Sequence, residues 1–119
     1  MSLSILIVED DSETRNTIIE ELRSNDIFDN VLQAADPISA LEIFNHNKDQ
    51  ISVVICDHYL PIQNGSQLCD IIKKERPGIK IIMFTGDPGL KENINTANID
   101  LILLKPEGLF ELAFAIKKI

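Results

Sequence analysis

The sequence predicts a doubly wound α/β fold, a five-stranded parallel sheet with helices on both faces. Two observations predict it. Short runs rich in Val, Ile and Leu recur five times with little polar alternation, and a stretch of helical spacing follows each one. Runs of that kind read as strands buried on both faces. Strand–helix alternation repeated in this way implies parallel strands, which need a crossover between them. The 119 residues are enough for one core of this type, and residues 1–119 are read as a single domain.

The first run, "SILIV" at 4–8, leads into a helix whose Ile18, Ile19 and Leu22 share one side. The second, "NVLQAA" at 30–35, precedes "PISALEIFNHN", where Ile38, Leu41 and Phe44 are expected to face the core. The third, "SVVIC" at 52–56, precedes a helix with Leu68, Ile71 and Ile72 inward, stopped by Pro77 and Gly78. The fourth, "IKIIMF" at 79–84, is followed by a weaker pattern from Pro88 to Asn98. Its three asparagines and thin stripe of Leu90, Ile94 and Ala97 predict a short or frayed helix. The fifth, "DLILL" at 100–104, precedes a last helix over 109–118. There Leu109, Leu112, Ala113 and Ile116 form the core stripe. Phe110 and Phe114 are expected to widen that stripe, the alternative being a partner or dimer surface.

A formal net charge of −8 argues against nucleic acid as a direct partner, since phosphates reward Lys and Arg. No apolar run approaches the roughly 18 residues of a membrane span, and the start lacks a secretory pattern, so a cytoplasmic protein is expected. Cys56 and Cys69 match no metal or redox spacing and read as buried free thiols. His46 sits in a polar helix end, where a solvated side chain is the ordinary reading, and His58 is at most a tuning residue beside Asp57.

In doubly wound sheets, ligands bind beyond the carboxyl ends of the strands. Polar groups follow the apolar runs there: Glu9, Asp10 and Asp11 after the first, Asp57 after the third, Thr85 at the end of the fourth, Lys105 after the fifth. Carboxylates about 4–5 Å apart repel by roughly 3–4 kcal/mol per pair at an effective dielectric of ~20, so they splay into water or enclose a cation. Oxygen ligands without His or Cys suit a hard ion such as Mg²⁺. A hydroxyl and an ammonium aimed at the same place neutralise phosphoryl oxygens, and an Asp beside the metal can be the nucleophile that becomes an aspartyl-phosphate. Each residue also has an ordinary reading: a turn for Asp57, a cap or turn for Thr85, a solvated lysine at 105. A helix cap from Asp10 or Asp11 falls to Asp11 once Asp10 belongs to the site.

The motifs "ILIVEDD", "VVICDHYLPIQNG", Thr85 and Lys105-Pro106 resemble those of response-regulator receiver domains, the phosphoacceptor modules of two-component signalling, along essentially the whole chain. The resemblance implies a flavodoxin-like (βα)5 sandwich with strand order 2-1-3-4-5 and a cis peptide before Pro106. It implies phosphoryl transfer from a sensor histidine kinase or phosphotransfer protein onto Asp57, with Mg²⁺ on Asp10, Asp57 and the Tyr59 carbonyl and Glu9 acting largely through water. Thr85 and Lys105 would bind the phosphoryl group, changing partner affinity on the face of the fourth and fifth strand–helix units. Tyr59 and Asp87, two residues past the acceptor and past the Thr, would tune water access. Ile102 departs from the family, which carries an aromatic switch residue there. A dehalogenase-type phosphatase needs a second Asp where Tyr59 stands, so turnover of outside substrates is not expected. A flavin site needs a Ser/Thr/Gly-rich cradle where the carboxylates are. A phosphorylation-independent receiver typically lacks the acceptor, the Thr or the Lys.

Overall fold

The computed structural model describes residues 3–118. Five strands, β1 (Ser4–Val8), β2 (Asn30–Ala34), β3 (Ile51–Cys56), β4 (Lys80–Thr85) and β5 (Leu101–Leu104), alternate with five helices. These are α1 (Ser12–Ser24), α2 (Pro37–His46), α3 (Gly65–Glu75), α4 (Leu90–Asn93) and α5 (Leu109–Lys118). The strands pair in parallel in the order β2-β1-β3-β4-β5, the order expected.

Successive strand side chains point to opposite faces, and both faces are covered. Ile5, Ile7, Val53, Ile55, Ile82 and Phe84 pack against α1 and α5, while Leu6, Val8, Val54, Cys56, Ile81 and Met83 pack against α2 and α3. That double cover is why the strands read as unbroken apolar runs. Each fully buried aliphatic side chain contributes on the order of 1.5–3 kcal/mol.

Ile18, Ile19 and Leu22 are buried as the spacing predicts. In α5 Leu112, Ala113 and Ile116 are buried and Leu109 packs against them, as the stripe predicts, whereas α2, α3 and α4 differ in part from theirs. In α2 the buried residues are Pro37, Ala40 and Phe44, with Leu41 half-buried and Ile38 exposed. Ile38 lies about 120° around the wheel from Phe44, the large anchor of this helix. In α3 the inward set is Leu68, Cys69 and Ile72, and Ile71 sits at the margin. Helix α4 is a single turn burying only Leu90; Ile94 is half-buried and Ala97 exposed. Polar turns take its place: the Ala97 amide donates to Asn95 Oδ1 and the Ile99 amide to the Thr96 carbonyl.

The core role expected for Phe110 and Phe114 is overturned. They are 73% and 63% exposed, because α5 already fills its inward face with Leu112, Ala113, Ala115 and Ile116. Both phenylalanines fall on the opposite side of the wheel.

At the amino end of the sheet, Asp100 joins three elements. Its Oδ2 accepts from the Ile81 amide at 2.7 Å and from Lys73 Nζ at 2.9 Å. Burial opposes ionisation of this carboxyl, but the Ile81 amide and Lys73 outweigh it and hold it below the usual range. A depressed carboxyl contributes stability that is present above its unfolded pKa of about 3.9 and is lost as pH falls through the folded value. Urea unfolding of Asp100→Asn is therefore expected to show a lower midpoint at pH 7 and a shallower loss between about pH 5 and 3 than the parent. Parallel pH profiles would refute this.

Candidate functional site at the carboxyl edge of the sheet

Register brings the strand ends together. Val8 pairs with Cys56, Cys56 with Met83, and Thr85 with Leu104, so the residues that follow emerge side by side. Backbone bonds continue past the strands: the Asp57 amide donates to the Val8 carbonyl at 3.1 Å and the Lys105 amide to the Thr85 carbonyl at 2.7 Å. The peptide between Lys105 and Pro106 is cis, as the resemblance implies.

Lys105 Nζ bridges two acids, donating to Glu9 Oε1 at 2.6 Å and Asp57 Oδ2 at 2.9 Å. Burial pushes the Glu9 carboxyl up, against the lowering pull of Lys105 and of the Asp11 amide that donates to Glu9 Oε2. For Lys105 burial works toward neutrality, but Glu9 and Asp57 prevail and hold the ammonium charged. One carboxylate oxygen from each of Glu9, Asp10 and Asp57 lies within 4.8 Å of the others, an arrangement compatible with a metal site. The donor set is all oxygen, which fits a hard divalent ion. Thr85 is fully buried, its Oγ1 accepting from the Asp87 amide at 3.2 Å. Asp11 is the cap of α1, accepting from the Thr14 amide at 3.0 Å.

The loop from Asp57 to Gly65 folds back on itself. The His58 carbonyl accepts from the Gly65 amide at 2.7 Å, and a Cβ on Gly65 would stand 2.0 Å from the Asp57 carbonyl oxygen. At its tip the Gln63 amide donates to the Pro61 carbonyl at 2.8 Å across Ile62, which has φ 76° and is 77% exposed. This is a γ-turn with positive φ at a β-branched residue, a strained combination.

Tyr59 and Asp87 are bonded to each other, hydroxyl to Oδ2 at 2.5 Å, so the loops after β3 and β4 are tied together. The Tyr59 hydroxyl and then the Gly89 amide hold the Asp87 carboxyl below its ordinary value. His58 is buried edge-on to the Tyr59 ring, and burial pushes its pKa down against the charges of Asp57 and Asp87. Its Nδ1 has no partner among the described residues. Cys56 and Cys69 are both buried and free; Cys56's thiol is pushed well up, first by Cys69 and then by burial. Ile102 is half-buried.

Every site residue expected from sequence lies on this rim or its loops. The sequence reading missed the direct Lys105–Glu9 pair and the role of Arg15, whose Nη1 donates to the Glu9 carbonyl at 2.7 Å. The available signal was only a basic residue one turn into the helix after an acidic triplet.

The family model described as "Response regulator receiver domain" matches residues 5–117. The chain belongs to the receiver domain family. Among relatives of this receiver, Chemotaxis protein CheY1 of Helicobacter pylori is 34% identical over 108 residues, covering 85% of this chain and 84% of its own. Sensor kinase CckA of Brucella abortus is 29% identical over 119 residues, covering 98% of this chain, which spans only 12% of that protein's length. The structure of response regulator protein TrrA from Thermotoga maritima, in complex with Mg(2+)-BeF, superposes with a TM-score of 0.86 at 25% identity. That match covers 99% of this receiver and 98% of TrrA.

Because a Cβ at position 65 collides with backbone, Gly65→Ala is expected to cost about 3 kcal/mol in urea unfolding. A loss below about 0.5 kcal/mol would show that the loop relaxes freely.

Proposed function

We propose that residues 1–119 act as a receiver that accepts a phosphoryl group onto Asp57 from a sensor histidine kinase or a phosphotransfer protein. The observation that carries this reading is the Lys105 ammonium bridging Asp57 and Glu9 on the rim that Asp10 and Thr85 share. An Asp57 carboxylate oxygen attacks phosphorus, the O–P bond forms, the P–N bond to the donor imidazole breaks, and that nitrogen takes up a proton. Mg²⁺ on Asp10, Asp57 and the Tyr59 carbonyl, with Glu9 acting largely through water, would neutralise the oxygens gathered there. Lys105 moves from the carboxylates to a phosphoryl oxygen, and the Thr85 hydroxyl leaves the Asp87 amide to donate to another. With Ile102 in place of an aromatic, the change passes to the fourth and fifth strand–helix units through Thr85 and its loop rather than through a rotating ring. A cytoplasmic location follows from the donors named.

Intact mass after incubation with acetyl phosphate tests the reading. A single phosphoryl adduct is expected with Mg²⁺, and none with chelator or in Asp57→Asn; an adduct of equal yield in all three samples would overturn it. The decay of that adduct is expected to change in Tyr59→Phe/Asp87→Asn, whose bond ties together the loops after β3 and β4 beside the acceptor, with Mg²⁺ affinity nearly unchanged. Equal decay would remove those residues from the account.

The exposed phenylalanines of α5 fit a second copy of the chain. Glu107 and Glu111 flank the start of that helix and Lys117 and Lys118 its end, so antiparallel pairing sets acid against base around Phe110 and Phe114. Sedimentation is expected to show a dimer lost in Phe110→Ala/Phe114→Ala with the fold retained. A monomeric parent, phosphorylated or not, would refute self-association.

A further inference from the structure

Arg15 is half-buried in the first turns of α1 and reaches back over the acidic loop. Its Nη1 donates to the Glu9 carbonyl at 2.7 Å, and its Nε donates to Gln33 Oε1 on β2 at 3.1 Å. With this contact all four polar atoms of Glu9 are engaged. Its amide donates to the Ala34 carbonyl at 3.0 Å, Oε1 accepts from Lys105 at 2.6 Å, and Oε2 accepts from the Asp11 amide at 3.1 Å. The Glu9 carbonyl begins the peptide that carries Asp10, so whatever fixes that carbonyl fixes where both carboxylates start. A guanidinium is suited to the task, because its donors form a rigid plane that serves two acceptors at once.

We infer that Arg15 is a positioning residue for the acidic rim: anchored to β2 through Gln33, it holds the Glu9–Asp10 peptide and so aims the carboxylates of Glu9 and Asp10 at a divalent cation. The inference rests on the Mg²⁺ reading given above. Two physical effects of removing Arg15 have opposite signs. As a nearby positive charge, Arg15 repels a divalent ion, and its loss alone would tighten binding. As an anchor, it opposes the mutual repulsion that splays the carboxylates, and its loss would weaken binding.

Calorimetric titration with MgCl₂ separates these effects when run on the parent, Arg15→Ala, Arg15→Lys and Gln33→Ala, with NMR of the Asp10 and Asp11 amides alongside. Arg15→Ala and Arg15→Lys are expected to weaken Mg²⁺ binding about tenfold, the Lys variant doing so at unchanged charge. Gln33→Ala, an exposed neutral change, is expected to weaken it by about two- to threefold, with the fold intact. The Asp10 amide is expected to broaden or split in the Arg15 variants. Should the parent bind Mg²⁺ and Arg15→Lys bind it equally well, Arg15 is not a positioning residue. Tighter binding by Arg15→Ala would equally exclude that role, leaving charge as the only effect of the residue. Absence of Mg²⁺ binding by the folded parent would overturn the metal reading, and this inference with it.

Discussion

The ammonium of Lys105 is the group around which the carboxyl edge of the sheet is organised. It arrives from β5 and makes its two ion pairs with acids that follow β1 and β3, so three strands are tied above the point where their own hydrogen bonding ends. Without a cation there, Glu9 and Asp57 would face each other across a partly buried gap, each raising the cost of ionising the other. The positive charge makes it possible to keep both acids inside the fold. The same need for positive charge leaves the cluster of Glu9, Asp10 and Asp57 compatible with a metal ion beside the lysine.

That organisation depends on the sheet being covered twice. Helices on both faces fill the middle of the central strands with apolar side chains, and the exposed polar residues Asn30, Gln33 and Lys80 lie on the edge strand β2 or at the start of β4. Polar chemistry is therefore displaced to where the strands stop. Parallel pairing then gathers those stops on one side, and the register leaves the first residue beyond each strand next to its neighbours. The core and the site are two results of one pattern. Gly65 marks where they meet, since only a missing side chain lets the loop close against the Asp57 backbone.

The apolar runs located the strands to within about a residue, and the carboxylates, hydroxyl and lysine after them located the rim, because both are facts about single residues and their chain positions. What could not be read were facts about pairs. Nothing in the local pattern says that Lys105 meets Glu9, that Arg15 turns back to the Glu9 carbonyl, or that Tyr59 reaches Asp87 across 28 positions. The helix faces were legible to within about a third of a turn. Ile38 and Phe110 show the limit: an apolar residue on a helix edge goes inward only if the neighbouring elements leave room. Composition alone does not report that room.

The two outer strands differ in chemistry. β2 ends the sheet with Asn30 and Gln33 exposed and Arg15 drawn across it, which are features that discourage another strand from adding there. β5 ends the other side with four apolar residues, Leu101 to Leu104, none of them charged, and only its shortness limits it. The sheet is thus polarised in its stickiness. Of the two edges, β5 is the less protected by side-chain chemistry against the addition of a further strand, and β2 the more protected.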